Sequence, residues 1–157
     1  MPSMPSPDDV QVEQFASTVV QLFRVLRSAR RRMPQVHPAV DPMSYPVLYA
    51  LSGEPKRISQ VAARTFSEIS TVSRKVSVLA EHGLIVKVTD PADGRAQLVT
   101  LSPAGRDLLE VLNRQRTELF TGLLSDWDPQ EVATVTDYLQ RLTGAAEQHC
   151  SREAGTS

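Results

Sequence analysis

The chain has 157 residues, with 17 basic against 18 acidic side chains and a formal charge of −1, a length that suits one domain or one compact module with helical extensions. With 41% hydrophobic and 22% charged residues it is globular in composition, no apolar run approaches the ~18 residues of a membrane span, and no signal-peptide pattern opens it. The single cysteine, Cys150, excludes an internal disulfide framework and fits a reducing cytoplasm.

The first nine residues, "MPSMPSPDD", are rich in proline and serine and are expected to be frayed. Residues 10–40 hold the first helix and a linker, in which Phe15, Val19, Leu22 and Leu26 recur at helical spacing. Asp8 or Asp9 can cap that helix, and Pro34 ends the pattern. A second helix is expected in "VDPMSYPVLYALSG", ending at Gly53. Asp41–Pro42 reads as N-cap and first helical residue, but Pro46 would then forfeit a backbone bond, a conflict that capping by Ser44 relieves. "ISQVAARTF" is a short helix with Ser59 as its cap. A turn near Phe66–Ser67 leads into "STVSRKVSVLAEHG", whose Val72, Val76 and Leu79 share one face and whose Gly83 is the stop.

From Leu84 the period changes to two. "LIVKVT" and "AQLVTL" flank the turn cluster "DPADG" as a β-hairpin. Ser102–Pro103 caps a long helix through Leu108, Leu112, Leu119 and Leu123, and "DPQE" opens a last helix carrying Val132, Val135, Leu139 and Leu142. The terminal helices, over 10–40 and 103–150, expose more apolar stripe than a small winged unit over 41–102 can cover. A two-fold dimer is the simplest way to bury it, a monomeric bundle the alternative. Residues 151–157 are expected to be a frayed tail.

The net charge conceals a division along the chain. Residues 1–53 carry five arginines against four acids, 54–106 carry eight lysines and arginines against five acids, and 107–157 carry four arginines against nine acids. The middle is basic and is the part suited to a polyanion. There, Ser70, Thr71, Ser73, Arg74 and Ser77 lie away from the apolar face of their helix. Short hydroxyls let a helix approach base edges, and arginine forks onto guanine O6 and N7. Lys75, beside them, suits a phosphate. Arg95, after Asp93 and Gly94 in the hairpin turn, suits a narrow minor groove; Gly94 would make the turn and Asp93 would hold Arg95 extended by pairing with it.

These pieces carry a family resemblance. Residues 58–105 resemble the winged helix-turn-helix of MarR-type transcriptional regulators, through "TVSR" on the recognition helix, "L-x-x-x-G-L" at its end, "D-x-R" at the wing and "LS-x-x-G" opening the next helix. The resemblance implies a mainly α fold with a small β-hairpin wing, flanked by N- and C-terminal dimerisation helices. It implies a homodimer on double-stranded DNA carrying an inverted-repeat operator, usually repressing nearby genes until a small molecule or an oxidant intervenes. The candidate DNA-binding residues are Ser59, Ser70, Thr71, Ser73, Arg74, Lys75, Asp93 and Arg95. The sequence departs from the family at "RTFSEIS", where a glycine and then a capping serine are common; Ser67 is the substitute cap.

The first helix holds no cysteine for oxidant sensing, and Cys150 reads as a spectator. His37, His82 and His149 are scattered, so no metal or other cofactor is expected. His37, Met43, Tyr45 and Tyr49 near the helix–wing junction are candidates for an aromatic or lipophilic effector, although core packing explains the tyrosines and the methionine equally well. An enzyme finds no phosphate-cradling glycine loop, nucleophile elbow or catalytic carboxylate cluster. The remaining alternatives are a winged helix that binds protein and a regulator that needs no ligand.

Overall fold

The computed structural model describes residues 8–38 and 40–154. The elements, in chain order, are α1 (Asp9–Arg31), a 3₁₀ turn (Pro42–Ser44), α2 (Tyr45–Ala50), α3 (Ile58–Arg64), α4 (Ile69–Glu81), β1 (Ile85–Asp90), β2 (Asp93–Leu101), α5 (Pro103–Leu123) and α6 (Pro129–Ala154). The chain is mainly α with one two-stranded wing, as expected from its periodicities. Two compact units divide within α5, after Leu112, so the boundary lies inside the helix that the sequence assigns whole to the C-terminal region.

In the first unit, Asp8 and Gln11 make the reciprocal cap of α1. Asp8 Oδ1 accepts from the Gln11 amide at 2.7 Å and Gln11 Oε1 accepts from the Asp8 amide at 3.1 Å. Asp8 and Asp9 are therefore a cap and a first turn, not part of a frayed end; residues 1–7 lie outside the described residues. No residue of α1 is buried, and Phe15 and Leu22 of its stripe are about half exposed.

The two prolines that follow share the work of starting a helix. Asp41 Oδ1 accepts from the Met43 amide at 2.9 Å, which starts the 3₁₀ turn with Pro42 in it. At Ser44 this turn passes into α2, where Pro46 occupies the first turn and forfeits nothing. The Ser44 side chain is buried and makes no cap bond, and α2 stops at Ala50, short of the expected Gly53.

The core joins α2, α3, α4, the wing and the first half of α5. Leu48, Leu51, Val61, Val72, Val76, Leu79 and Val99 are sealed from solvent, and Leu101, Leu108, Leu109 and Leu112 close it. Each such side chain contributes about 1.5–3 kcal/mol by leaving water. Helix α4 is thus fixed by Val72, Val76 and Leu79, the face its sequence predicts.

At the end of α4, Gly83 takes φ +69. Leu84 N donates to Leu79 O and Gly83 N to Ala80 O, both at 2.9 Å, closing a Schellman motif. Ser102 links this stop to the next start. Its hydroxyl donates to Gly83 O at 2.6 Å and accepts from Gly105 N at 3.0 Å. Gly105 is where the backbone approaches most tightly, since a Cβ there would overlap the Leu84 carbonyl.

In the second unit, Asp128 Oδ1 accepts from the amides of Gln130 and Glu131 at 2.7 and 2.9 Å, while Glu131 Oε2 accepts from Asp128 N at 3.0 Å. The expected capping box of α6 is formed. The helix continues to Ala154, so residues 151–154 are helical instead of the predicted frayed tail. Val135, Tyr138, Leu139 and Leu142 remain exposed along it. Among the described residues no helix is long and apolar enough to cross a membrane, and no group of three or more His, Cys, Asp or Glu could hold a metal ion.

Replacing Gly105 by alanine is expected to force apart the α4 stop and the α5 start, lowering unfolding free energy by about 1–3 kcal/mol, the usual cost of overpacking. Urea denaturation followed by circular dichroism measures it.

Candidate nucleic-acid interface

The interface is built on α3, the turn after it, α4 and the wing. The capping expected of Ser59 does not occur. Arg57 is the N-cap of α3, its amide donating to Gln60 Oε1 at 2.9 Å, and Ser59 lies exposed inside the first turn. The sequence reading chose the hydroxyl nearest the helix start, whereas a glutamine at the third position satisfies the end from within.

The turn closes α3 as Gly83 closes α4. Ser67 N donates to Ala62 O at 3.0 Å and Phe66 N to Ala63 O at 3.3 Å. Phe66 takes φ +48, supplying with a side chain the left-handed backbone for which glycine is common in the family that the sequence resembles. Ser67 is not the cap of α4. Its hydroxyl donates back to Thr65 O at 3.0 Å, and Glu68 is the N-cap without a side-chain bond.

Along α4, Ser70, Arg74 and Ser77 are exposed and Thr71 and Ser73 half-buried. Ser77 spends its hydroxyl on Ser73 O at 3.1 Å. Among the described residues the hydroxyls of Ser70, Thr71 and Ser73 make no hydrogen bond, and the guanidinium groups of Arg74 and Arg95 carry neither hydrogen bond nor ion pair. This face therefore has unspent donors on a rigid helix. Lys75 differs. Its ammonium donates to Met43 O at 2.6 Å, tying α4 to the 3₁₀ turn, so one of its donors is already engaged.

The wing runs from Ile85↔Leu101 to Thr89↔Gln97 in regular register, then shifts so that Asp90 faces Asp93. The connection is thus Pro91–Ala92, and β2 begins three residues earlier than the expected "AQLVTL". Gly94, expected to make the turn, lies inside β2 without positive φ. The expected pairing of Asp93 with the Arg95 side chain is also absent. Asp93 Oδ1 accepts from the Arg95 backbone amide at 3.2 Å, and Asp93 Oδ2 lies 3.8 Å from Arg57 Nη2.

Arg57 is the residue that sequence reasoning missed. Its Nη2 and Nε donate to Asp90 Oδ2 at 2.7 and 3.2 Å, while Asp90 Oδ1 accepts from Ala92 N at 2.9 Å. Beside it, Lys56 and Val99 exchange backbone bonds, Lys56 N to Val99 O at 3.0 Å and Val99 N to Lys56 O at 2.8 Å. The start of α3 is thereby stitched to the wing by a backbone bridge and an ion pair. Hydrogen bonding from Arg57 holds the Asp90 carboxyl below the usual carboxylate range, helped by the Ala92 amide; the same bond raises Arg57. The partners are 33 residues apart, beyond any local spacing rule.

The candidate effector residues divide. Tyr45 is core, with the Arg30 guanidinium 4.9 Å above its ring, and Tyr49 packs against that core. Met43 projects outward, 67% exposed. His37 meets His82, the C-cap of α4, with ring centres 5.7 Å apart. Cys150 is exposed on α6.

Comparison with known proteins places this geometry. A model described as MarR family matches residues 40–96, which take in α2, α3, α4 and the turn of the wing. An uncharacterized HTH-type transcriptional regulator of Bacillus subtilis, YxaD, is 34% identical over 91 residues, covering 58% of this chain and 64% of that relative. The match thus spans slightly less than two thirds of the relative's length. Among solved structures, a MarR family protein from Bacillus stearothermophilus aligns with a TM-score of 0.79 at 15% identity, covering 90% of this chain and 99% of that one. The PcaV transcriptional regulator from Streptomyces coelicolor, in complex with its natural ligand, aligns with a TM-score of 0.62 at 26% identity, covering 91% and 99%.

Because Asp90 titrates lower in the folded chain than in the unfolded one, its pairing stabilises the fold above the unfolded carboxylate range. That contribution disappears as pH falls through the lowered folded value. Asp90→Asn is therefore expected to lower the melting temperature near neutral pH and to narrow its gap to the unsubstituted chain below about pH 4. Thermal unfolding across an acid pH series measures both.

Proposed function

We propose that this chain, which matches the MarR family model over residues 40–96, is a MarR-type regulator: a cytoplasmic homodimer that represses nearby genes by binding an inverted-repeat operator. The winged helix-turn-helix is the DNA-binding part. One α4 from each protomer enters a major groove, with Ser70, Thr71, Ser73 and Arg74 towards base edges, while Arg95 on each wing enters the flanking minor groove. Ser59 and Lys75 stand at phosphates, and Asp93 supports Arg95 through its backbone. The observation that carries this reading is the α4 face itself: three hydroxyls and one guanidinium without partners within the described chain, on a helix whose opposite face is locked into the core.

The terminal helices support the dimer. Phe15, Leu22 and Phe23 on α1 and Tyr138, Leu139 and Leu142 on α6 are 39–68% exposed. Leaving such side chains in water forfeits about 1.5–3 kcal/mol for each one that could be fully covered, which a second copy recovers.

A small effector fits the same scheme. PcaV was solved with its natural ligand, and here Arg30 stands above Tyr45, which lies between Met43 and Tyr49 in sequence. A cation over an aromatic ring suits an aromatic acid. His37 would border that site from the linker.

Fluorescence anisotropy on DNA from just upstream of the gene, across a salt series, tests the DNA reading. Arg74→Ala is expected to cost about 1–3 kcal/mol of discrimination. Arg95→Ala should weaken binding and flatten the log–log salt slope by about one, without changing oligomeric state. A protein-binding winged helix would leave affinity for DNA weak and equal among all three proteins. Separately, removing residues 128–157 is expected to give monomers or insoluble protein in size-exclusion chromatography with light scattering; a well-folded dimer would place the interface elsewhere.

A further inference from the structure

The hydroxyls and arginines of the DNA-binding surface leave the apolar side chain that opens α4 without a role. Ile69 opens the helix 57% exposed. The chain has two other isoleucines; Ile85 is buried in the core and Ile58 packs against it. With ~3.6 residues per turn, Ile69, Ser70, Ser73 and Arg74 stand at i, i+1, i+4 and i+5 and form one patch over the first two turns. Three corners of that patch can be satisfied by phosphate, water or polar base edges. A branched alkyl group cannot.

The preceding residue narrows the choice of surroundings. Glu68 is exposed and is the N-cap of α4, with its carboxylate making no cap bond. An anion there disfavours seating this end of the helix on a phosphate, and so favours the bases between the two strands. On major-groove base edges the apolar group that projects is the thymine C5-methyl; beyond small C–H edges such as cytosine C5–H, the other groups are hydrogen-bond donors and acceptors.

We propose that Ile69 reads a thymine methyl, in the same half-site as the base contacted by Arg74, and is a specificity-determining residue of this regulator. The inference rests on the DNA-binding reading above. An alkyl side chain offers no partner to a cytosine or adenine amine or to a guanine carbonyl. It therefore favours thymine by contact and disfavours the other bases by leaving their polar edges dry.

The test uses the full chain and the tightest duplex it selects from random double-stranded DNA. Each thymine of the half-site is replaced singly by uracil, which removes the methyl and keeps the base pair. At one position per half-site, affinity is expected to fall about four-fold, the worth of one methyl-sized apolar group. Ile69→Ala, which removes the contact from both protomers, should bind the thymine duplex about as weakly as the unsubstituted chain binds a duplex carrying uracil at that position in both half-sites, and should no longer distinguish thymine from uracil. The exposure of Ile69 leaves the fold of the variant intact, which circular dichroism checks.

Uracil without effect at every thymine overturns the proposal, even if Ile69→Ala binds weakly. A uracil penalty that persists in Ile69→Ala overturns it too, by assigning the methyl to another side chain. In either case, sequence-selective, salt-steep binding that depends on Arg74 leaves the DNA-binding reading standing. A chain that selects no sequence overturns both.

Discussion

The junction between residues 56–57 and the wing is the constraint on which the reading surface depends. A two-stranded hairpin has too little pairing to hold its own orientation in water. Here the Lys56–Val99 bridge adds a third line of backbone, and the Arg57 guanidinium closes on Asp90 at 2.7 Å. The Asp90 side chain is only 10% exposed while that of Arg57 is 47% exposed. The carboxylate, with little access to water, is the member that needs its partner. A half-exposed ion pair adds little to global stability, so its consequence is positional. It sets where the wing, and with it Arg95, stands relative to the start of α3.

The parts of this architecture that were legible in the sequence are those written in local spacing. Periods of 3.6 and 2 located the helices and the hairpin. Asp8, Ser102 and Asp128 announced caps that form, and Gly83 announced a stop that forms. The misreadings fall where contacts are remote or where two local solutions compete. Ser59 looked like a cap because it is a hydroxyl at a helix start, but Gln60 satisfies that end. Gly94 looked like the turn residue, but Pro91 and Ala92 make a shorter connection and leave the glycine in the strand. Asp93 looked like the partner of the Arg95 side chain because they are neighbours, yet its free oxygen lies towards Arg57. Which face of α4 is buried and which is exposed was legible; the stitch that orients the wing was not.

Helical periodicity also reports that an apolar stripe exists without saying what covers it. The stripes of α4 and α1 obey the same spacing rule, but Val72, Val76 and Leu79 are sealed while α1 buries nothing. What separates them is context. The first lies between two short elements that return it to the core within a few residues, and the second is followed by a long linker. Charge behaves likewise, since a formal −1 for the chain conceals a basic middle and an acidic C-terminal part. Of the five acids in that middle, Asp90 is paired with Arg57 and Asp93 lies near it, so part of the middle's negative charge is held at the junction with the wing.

These separations give α4 two independent tasks. Its buried face and its two Schellman closures, at Phe66 before it and Gly83 after it, determine where the helix lies. Its exposed positions contribute almost nothing to that placement, since their side chains make few contacts within the described chain. Under the proposed function, specificity can therefore change at Ile69, Ser70, Ser73 and Arg74 with little effect on the fold. The exception is the entry turn. Phe66 holds a left-handed backbone that costs a side-chain-bearing residue about 1–2 kcal/mol, three residues ahead of Ile69. Glycine would ease that backbone but widen the range of conformations open to the unfolded chain. Any change at Phe66 would therefore alter the energetics of the turn that delivers Ile69, even with the reading residues themselves untouched.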